Sequence, residues 1–236
     1  MLAPIWFPQK DKWNTYHSIA DMREDQSEHL RDLIFRIRDI HASVTEGWRD
    51  YAGRHCLSVF NQKSTKVKHL DSKRELMESV YGYVDFLRGR PELSEFVGQF
   101  DGYEITSRVK NHNSVEEKID DYCRKRAQRG EVSVNKCLND LFGIRIIIDC
   151  ESINDDDLMP LINSFGSALT LEDKDVPARG DIPPYIAKHI YFRQSNEDYR
   201  WELQIWRTAD QENNHESHRK HRYIYRGWES DGRKSA

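Results

Sequence analysis

Apolar and charged positions in the first part of the chain recur with a helical beat. Over 24–49, Leu30, Leu33, Ile34, Ile37, Ile40, Val44 and Trp48 fall three or four apart with charges between them. That spacing predicts an amphipathic helix burying one stripe. A second run, about 72–90, carries Leu76, Val80, Val84, Phe86 and Leu87, and Pro91 then opens a short polar helix or turn. The beat changes at Asp101–Gly102, a turn signal. In YEITSRVK, Tyr103, Ile105, Ser107 and Val109 point one way and Glu104, Thr106, Arg108 and Lys110 the other, as in a strand. Ser114 as N-cap, with Glu117 three residues on, predicts a helix to about Arg126, and Gly130 ends the basic stretch after it.

LFGIRIIID, 141–149, is a continuous apolar run, the mark of a strand inside a sheet. The acidic stretch Asp155–Asp157 leads into a helix near 157–169, and 172–184 is a loop interrupted by Gly and Pro. Two strands follow, KHIYFR at 188–193 and RWELQIW at 200–206, joined by a turn at Ser195–Asp198. Residues 209–226 read as helix, with a frayed end beyond. Helices followed by strands mixed with helices predict an α+β fold with a mixed sheet. The expected division is a helical N-terminal extension over 1–100 and the sheet domain over 101–236.

Composition narrows the classes. A net charge of -4 with 32% charged residues excludes a uniformly basic nucleic-acid binder but leaves local basic patches open. The four cysteines, Cys56, Cys123, Cys137 and Cys150, form no CxxC pair and read as free thiols of a reducing compartment. MLAPIWFPQKDKW has too short an apolar run for a signal peptide, and nothing approaches the roughly 18 apolar residues of a membrane span. A soluble cytoplasmic protein with no membrane contact is expected.

Several polar residues stand where chemistry could use them. Arg108 and Lys110 share a strand face, a cation ledge suited to polyphosphate or an ordinary solvated face. Asp140 precedes the apolar strand and Arg145 lies on it. The carboxylate could ligate Mg²⁺ and the guanidinium could stack on a ring, or the two could form a structural pair. Glu202 and Gln204 share one face of a strand whose other face carries Trp201, Leu203 and Ile205. Glu202 could be a second metal ligand and Gln204 could read a base edge. His215, His218 and His221 drift around a helix without the spacing of a zinc site, and His218 could instead donate to a phosphate or ribose. Tyr185, after two prolines, sits in a stiff loop and suits stacking on a nucleobase or packing on its own sheet.

Taken together, SRVKNHNSVEEKI, LNDLFGIRIII, PYIAKHIYF and WELQIW…HESH resemble the synthetase domain of the RelA/SpoT family, the small alarmone synthetases, over about 103–222. Arg108 and Lys110 match its R-x-K element, and Lys118 the lysine that follows. Asp140, Gly143 and Arg145 match D-x-x-G-x-R, Tyr185 and His189 the acceptor loop, Glu202 and Gln204 the E-x-Q strand, and His218 the trailing histidine.

The resemblance implies a nucleotidyltransferase-like fold and transfer of pyrophosphate from ATP to a ribose hydroxyl. Arg108 and Arg145 would sandwich adenine, and Lys110 and Lys118 would hold the triphosphate. Asp140 and Glu202 would bind Mg²⁺, with Glu202 helping to deprotonate the 3′-hydroxyl. Tyr185 would stack on the acceptor base, with His189, Gln204 and His218 also on the acceptor side.

The chain departs from the pattern at the acceptor. The usual Gly-Tyr-Arg reads Pro184-Tyr185-Ile186, E-I-Q-I-R-T reads Glu202 to Arg207 with Trp206 inserted, and the Trp-Ala…Glu-His element is reduced to Asn213–His218. ELQIW followed by S-H-x-x-H-x-x-x-Y looks more like the toxic small synthetases of toxin–antitoxin pairs, several of which pyrophosphorylate the 3′ end of tRNA. The hydrolase domain's His-Asp dipeptide does not occur, so a synthesis-only enzyme is expected. Three readings follow: a toxin acting on tRNA, with an antitoxin partner and a possible homo-oligomer; an alarmone synthetase using GDP, GTP or adenine nucleotides; and a catalytically inactive nucleotide-binding module. The basic segment Arg219, Lys220, Arg222, Arg226, Arg233 and Lys234 suits a tRNA backbone or a solvated helix end.

Overall fold

The computed structural model describes residues 22–97, 104–125, 127, 129–150 and 155–220. The turn at Asp101–Gly102, Tyr103, Arg126, His221 and the basic residues from Arg222 onward lie outside them. The chain divides into two compact units, residues 1–36 and 37–236. Helices α2 (Val67–Ser72), α3 (Arg74–Arg88) and α4 (Glu92–Val97) therefore belong with the sheet, whereas α1 (Met22–Arg54) contributes residues to both units.

The chain forms a five-stranded mixed sheet with helices, an α+β fold. Its strands are β1 (Glu104–Val109), β2 (Phe142–Ile148), β3 (Leu169–Val176), β4 (Tyr185–Phe192) and β5 (Trp201–Arg207), in the order β1-β2-β5-β4-β3. Only β2 and β5 pair parallel; the other neighbours are antiparallel. Both parallel strands are interior, which accounts for the mainly apolar run of β2, interrupted by Arg145, and for burial of six of the seven β5 residues.

Within the larger unit, the predicted stripe of α1 is buried from Ile37 through Ile40, Val44 and Trp48. Trp48 meets Tyr83 of α3 edge-on at 5.2 Å, and Tyr83 stacks on Tyr199 at 4.2 Å. The Tyr83 hydroxyl accepts a hydrogen bond from Trp201 Nε1 at 2.8 Å. One sheet face, carrying Phe142, Ile144, Trp201 and Leu203, is thereby closed under helices. Among the described residues no helix is long and apolar enough to cross a membrane.

Five expectations are corrected. Helix α5 (His112–Asp120) is capped by Asn111, whose Oδ1 accepts the Ser114 N–H at 2.7 Å, so Ser114 lies inside the helix. Asn competes for this role because its carbonyl oxygen reaches the free amides of the first turn. The helix closes at Asp120 and gives way to a wider π-turn, Asp121–Lys125.

Helix α7 (Asp155–Ser164) stops short of 169, where the chain turns through Gly166 at φ 57°. Strand β3 then occupies residues expected to be loop. Its Glu172, Asp173, Lys174 and Asp175 hide the apolar period, as charges on an edge strand do. Finally, Tyr185 begins β4 and is only 8% exposed, so it is not the exposed loop aromatic that its prolines suggested. After α6 (Val134–Cys137) the chain enters β2; after β5 it forms helix α8, residues 211–220.

Candidate active site

Strand register assembles the site on the sheet face opposite the one that carries Phe142, Ile144, Trp201 and Leu203. Arg108 pairs with Gly143, Gly143 with Glu202, and Glu202 with Tyr191 across β1, β2, β5 and β4. Two residues along, Thr106 pairs with Arg145, Arg145 with Gln204, and Gln204 with His189. Residues two apart on a strand face the same way, so the two rows form one polar surface. Thr106, Arg108, Gly143, Arg145, Glu202 and Gln204 of these rows line a cleft of about 390 Å³ with Asp140, His215, His218 and Arg219.

At one end of the cleft, two ammonium groups hold Asp140. Lys110 Nζ donates to Oδ2, and Lys118 Nζ donates to Oδ1 at 2.9 Å and to Asn139 Oδ1 at 3.1 Å. Burial alone would raise the Asp140 pKa, but Lys118 and Lys110 outweigh it and hold the carboxyl well below the usual range. Burial lowers Lys110, which also feels Lys118 beside it, whereas for Lys118 the pull of Asp140 overcomes burial and raises it. Two half-buried cations share one carboxylate here, leaving an excess of positive charge.

Glu202 is fixed from three sides. Oε1 lies 2.9 Å from His189 Nδ1 and accepts the Tyr191 hydroxyl at 3.1 Å, while Oε2 accepts Gln204 Nε2 at 2.7 Å. Burial pushes its pKa up, but the hydrogen bond from His189, with that from Gln204, counters it, and the group lies below the ordinary glutamate value. Gln204 Oε1 accepts Arg145 Nε at 3.2 Å and Nη2 at 3.1 Å, and the Arg145 guanidinium lies 3.6 Å from the Trp206 ring centroid.

Behind Glu202, Tyr185 joins the network: its hydroxyl is 2.8 Å from His189 Nε2 and accepts Trp206 Nε1 at 3.3 Å. One arrangement of protons satisfies every bond. Trp206 donates to Tyr185, Tyr185 to His189 Nε2, and His189 Nδ1–H to Glu202. Tyr185 is thus held against its own strand, with little ring surface left for stacking.

Helix α8 supplies the cleft's other wall. Asn214, fully buried, accepts the Ile186 N–H at 2.9 Å and donates to the Ile186 carbonyl at 2.7 Å, pinning α8 to the start of β4. One turn on, His218 stacks on Trp206 at 5.7 Å and meets Tyr185 edge-on at 4.9 Å. Its Nε2 is buried without a hydrogen-bond partner. Burial, then the charges of Arg145 and Arg108, lower its pKa to about 3, so the ring is neutral near pH 7.

Gly143 leaves the floor of the cleft open. Its φ is not positive, and a Cβ added there would meet nothing within 4 Å. Neither backbone conformation nor packing requires glycine, whereas a bound ligand between Arg108 and Glu202 would.

The structure therefore brings together Arg108, Lys110, Lys118, Asp140, Arg145, Tyr185, His189, Glu202, Gln204 and His218, the residues to which the sequence assigned catalytic, donor or acceptor roles. It adds Tyr191, Asn214 and, as a partner of Arg145, Trp206. Tyr191 was readable as the next same-face residue after His189 on β4; Asn214 carried no signal, since its role depends on where α8 lands. His215 and His218 both contact Trp206. Among the described residues no group of three or more His, Cys, Asp or Glu is arranged to hold a metal.

No protein-family model matches the sequence, and no curated protein does. Among solved structures, small alarmone synthetase 1 from Bacillus subtilis is 20% identical, covering 67% of this chain and 78% of that one, with a TM-score of 0.29. Small alarmone synthetase 2 from Bacillus subtilis is 15% identical, covering 68% of this chain and 99% of that one, also at 0.29. Superposition this loose leaves the chemistry to be read from the cleft itself.

Proposed function

We propose that this protein is a Mg²⁺-dependent ATP pyrophosphokinase that transfers the β,γ-pyrophosphate to a ribose 3′-hydroxyl, with the 3′ end of tRNA as acceptor. The observation that carries the reading is the pairing of two unlike carboxylates in one cleft. Asp140 is held between Lys110 and Lys118, and Glu202 is held between His189, Tyr191 and Gln204. Mg²⁺ takes oxygen ligands and usually one or two protein carboxylates, the remainder coming from phosphate and water. Asp140 and Glu202, both ionised and both lining the cleft, fit that donor set. Bound there, the metal would neutralise charge building on the transferred phosphates.

The protein's own groups supply positioning. Arg108 and Arg145 are diagonal neighbours across β1 and β2, a separation of roughly 7–8 Å that admits one planar base between two guanidinium planes. Lys110 and Lys118 carry the surplus positive charge that a triphosphate would complement. In the transfer, the 3′-oxygen bonds to the β-phosphorus, the bond from that phosphorus to the α–β bridging oxygen breaks, and AMP leaves. Glu202, kept ionised, accepts a hydrogen bond from the attacking hydroxyl and aids loss of its proton. Gly143 keeps the space in which these groups meet.

The lean towards tRNA rests on the acceptor side. Ile186 stands where a loop arginine would face a free nucleotide's phosphates, and Tyr185 is turned into the sheet. The test incubates the protein with γ-labelled ATP and Mg²⁺, separately with deacylated tRNA, GDP, GTP and adenine nucleotides. Label on tRNA with matching release of AMP, abolished by a chelator, is expected. Label on a free nucleotide alone would replace the tRNA reading with alarmone synthesis, and no AMP with any acceptor would overturn the kinase.

A further inference from the structure

The polar sheet face continues beyond the Glu202–Tyr191 pair to two arginines that the proposed donor site does not use. Register carries Phe192 to Trp201, so the next positions on the two strands are Arg193 and Arg200. Arg200 is two residues before Glu202 and lies on its face, with its guanidinium 5.9 Å from the Tyr191 ring centroid. Along the strand the two α-carbons are roughly 7 Å apart. Arg200 Nε is buried and has no hydrogen-bond partner. Arg193, half-buried beside it, adds a repelling positive charge. The carboxylate that attracts Arg200 is Glu172 of β3, which is itself bonded to Lys174 at 2.5 Å. Among the described residues neither guanidinium has an ion-pair partner within 4.0 Å.

A pair of half-buried guanidinium groups with unused donors is costly unless an anion meets it. Their planar forks match phosphate oxygens in particular. Their place also identifies whose phosphate this is. The donor's cations, Lys110 just after β1 and Lys118 on α5, stand on the β2 side of Glu202, whereas Arg200 stands on Glu202's own strand line and Arg193 beyond it on the β4 side.

We propose that Arg193 and Arg200 form an anion subsite for the phosphate on the 5′ side of the acceptor ribose, the group that places the 3′-hydroxyl at Glu202. This inference rests on the pyrophosphokinase reading for the identity of the acceptor.

The test is a binding measurement on the full chain with its donor site filled by Mg²⁺ and an ATP analogue carrying a methylene between the α- and β-phosphates. Adenosine and guanosine are titrated against their 5′-monophosphates and against a short oligoribonucleotide whose last ribose carries its 5′ phosphate as a diester. The 5′ phosphate is expected to tighten wild-type binding at least tenfold. Arg193→Gln with Arg200→Gln should shrink that ratio below about twofold, and Arg193→Lys with Arg200→Lys should recover part of it, separating charge from misfolding. A preference for the oligoribonucleotide over the monophosphates assigns the subsite to an RNA strand; the reverse assigns it to a free nucleotide. A ratio unchanged in the Gln pair, or no phosphate dependence in the wild type, overturns the subsite. Transfer from ATP is measured on the same proteins: transfer without phosphate dependence sinks the subsite alone, and phosphate-dependent binding without transfer sinks the kinase alone.

Discussion

The two faces of β5 are built from one stretch of seven residues and do opposite work. Trp201, Leu203 and Ile205 are at most 1% exposed and face helices. Glu202 and Gln204, 6% and 7% exposed, are nearly as buried, yet each is held by hydrogen bonds to other polar side chains. Burial alone therefore does not distinguish core from site in this sheet. The distinction lies in what the buried group needs: apolar groups gain by leaving water, whereas a buried carboxylate costs free energy until donors surround it. The polar face answers that need with a network that still leaves charge, an orphan imidazole nitrogen and an open floor for a ligand.

The sharpest way to break the comparison is to change one residue on each face. Glu202→Gln keeps the volume and most of the packing. It should lower transfer by about 10³-fold, roughly 4 kcal/mol in the barrier, while thermal unfolding moves little. Leu203→Ala, on the covered face, should cost about 3 kcal/mol of stability, with transfer per folded molecule kept within a few-fold. Measuring both variants by calorimetry and by AMP release decides the matter. If Leu203→Ala removes transfer while remaining folded, the two faces are not separable.

A smaller effect is expected at Asp140, where function and stability share one group. Asp140→Asn leaves Lys110 and Lys118 together without their counter-charge, in positions whose side chains are 11% and 24% exposed. The expected loss is about 3 kcal/mol near pH 7. Its pH dependence carries a sign. The Asp140 pKa is depressed in the folded protein, so its contribution is fully present above the unfolded value, near 4, and fades as pH falls towards the folded value. Urea midpoints of wild type and variant should therefore differ most at pH 7 and converge below about pH 4. A gap that stays constant with pH would remove the ion pairs as its cause.

How much of this was legible beforehand follows from what each signal depends on. The strand β5 and its two faces were readable because alternation is local: Glu202 and Gln204 part from Trp201 and Leu203 within one short run. The companionship of Arg108, Asp140, Arg145 and Glu202 came from motif resemblance, since register between distant strands leaves no periodic trace. Strand β3 was missed because Glu172 to Asp175 answer to the sheet's edge and not to its core. Tyr185 was misplaced because Pro183 and Pro184 announce a loop, while Trp206 and His189, distant in sequence, draw the tyrosine into the strand. Asn214 was invisible for a related reason, since a capless amide on a helix says nothing about which strand end it will clasp.

The finest test concerns His218, which stands between the two kinds of burial. It packs on Trp206 as a core residue would, yet its Nε2 faces no protein partner and it lines the cleft. Its folded pKa, about 3, lies below the ordinary 6.5. Between those values the unfolded chain takes a proton that the folded chain refuses, so stability should fall as pH drops from about 6.5. Between pH 7 and pH 5 the expected loss is about 1–2 kcal/mol, and His218→Gln should flatten that slope without changing the Asp140 effect at lower pH. An imidazole resonance of His218 titrating near 6.5 would show the ring to be open to water. Bound phosphate should then raise the same pKa, since an anion beside Nε2 favours the proton that burial, Arg145 and Arg108 exclude. A titration repeated with ATP analogue and acceptor present thus reports whether His218 belongs to the packing or to the ligand: an unmoved resonance assigns it to the core, and an upward shift assigns it to the site.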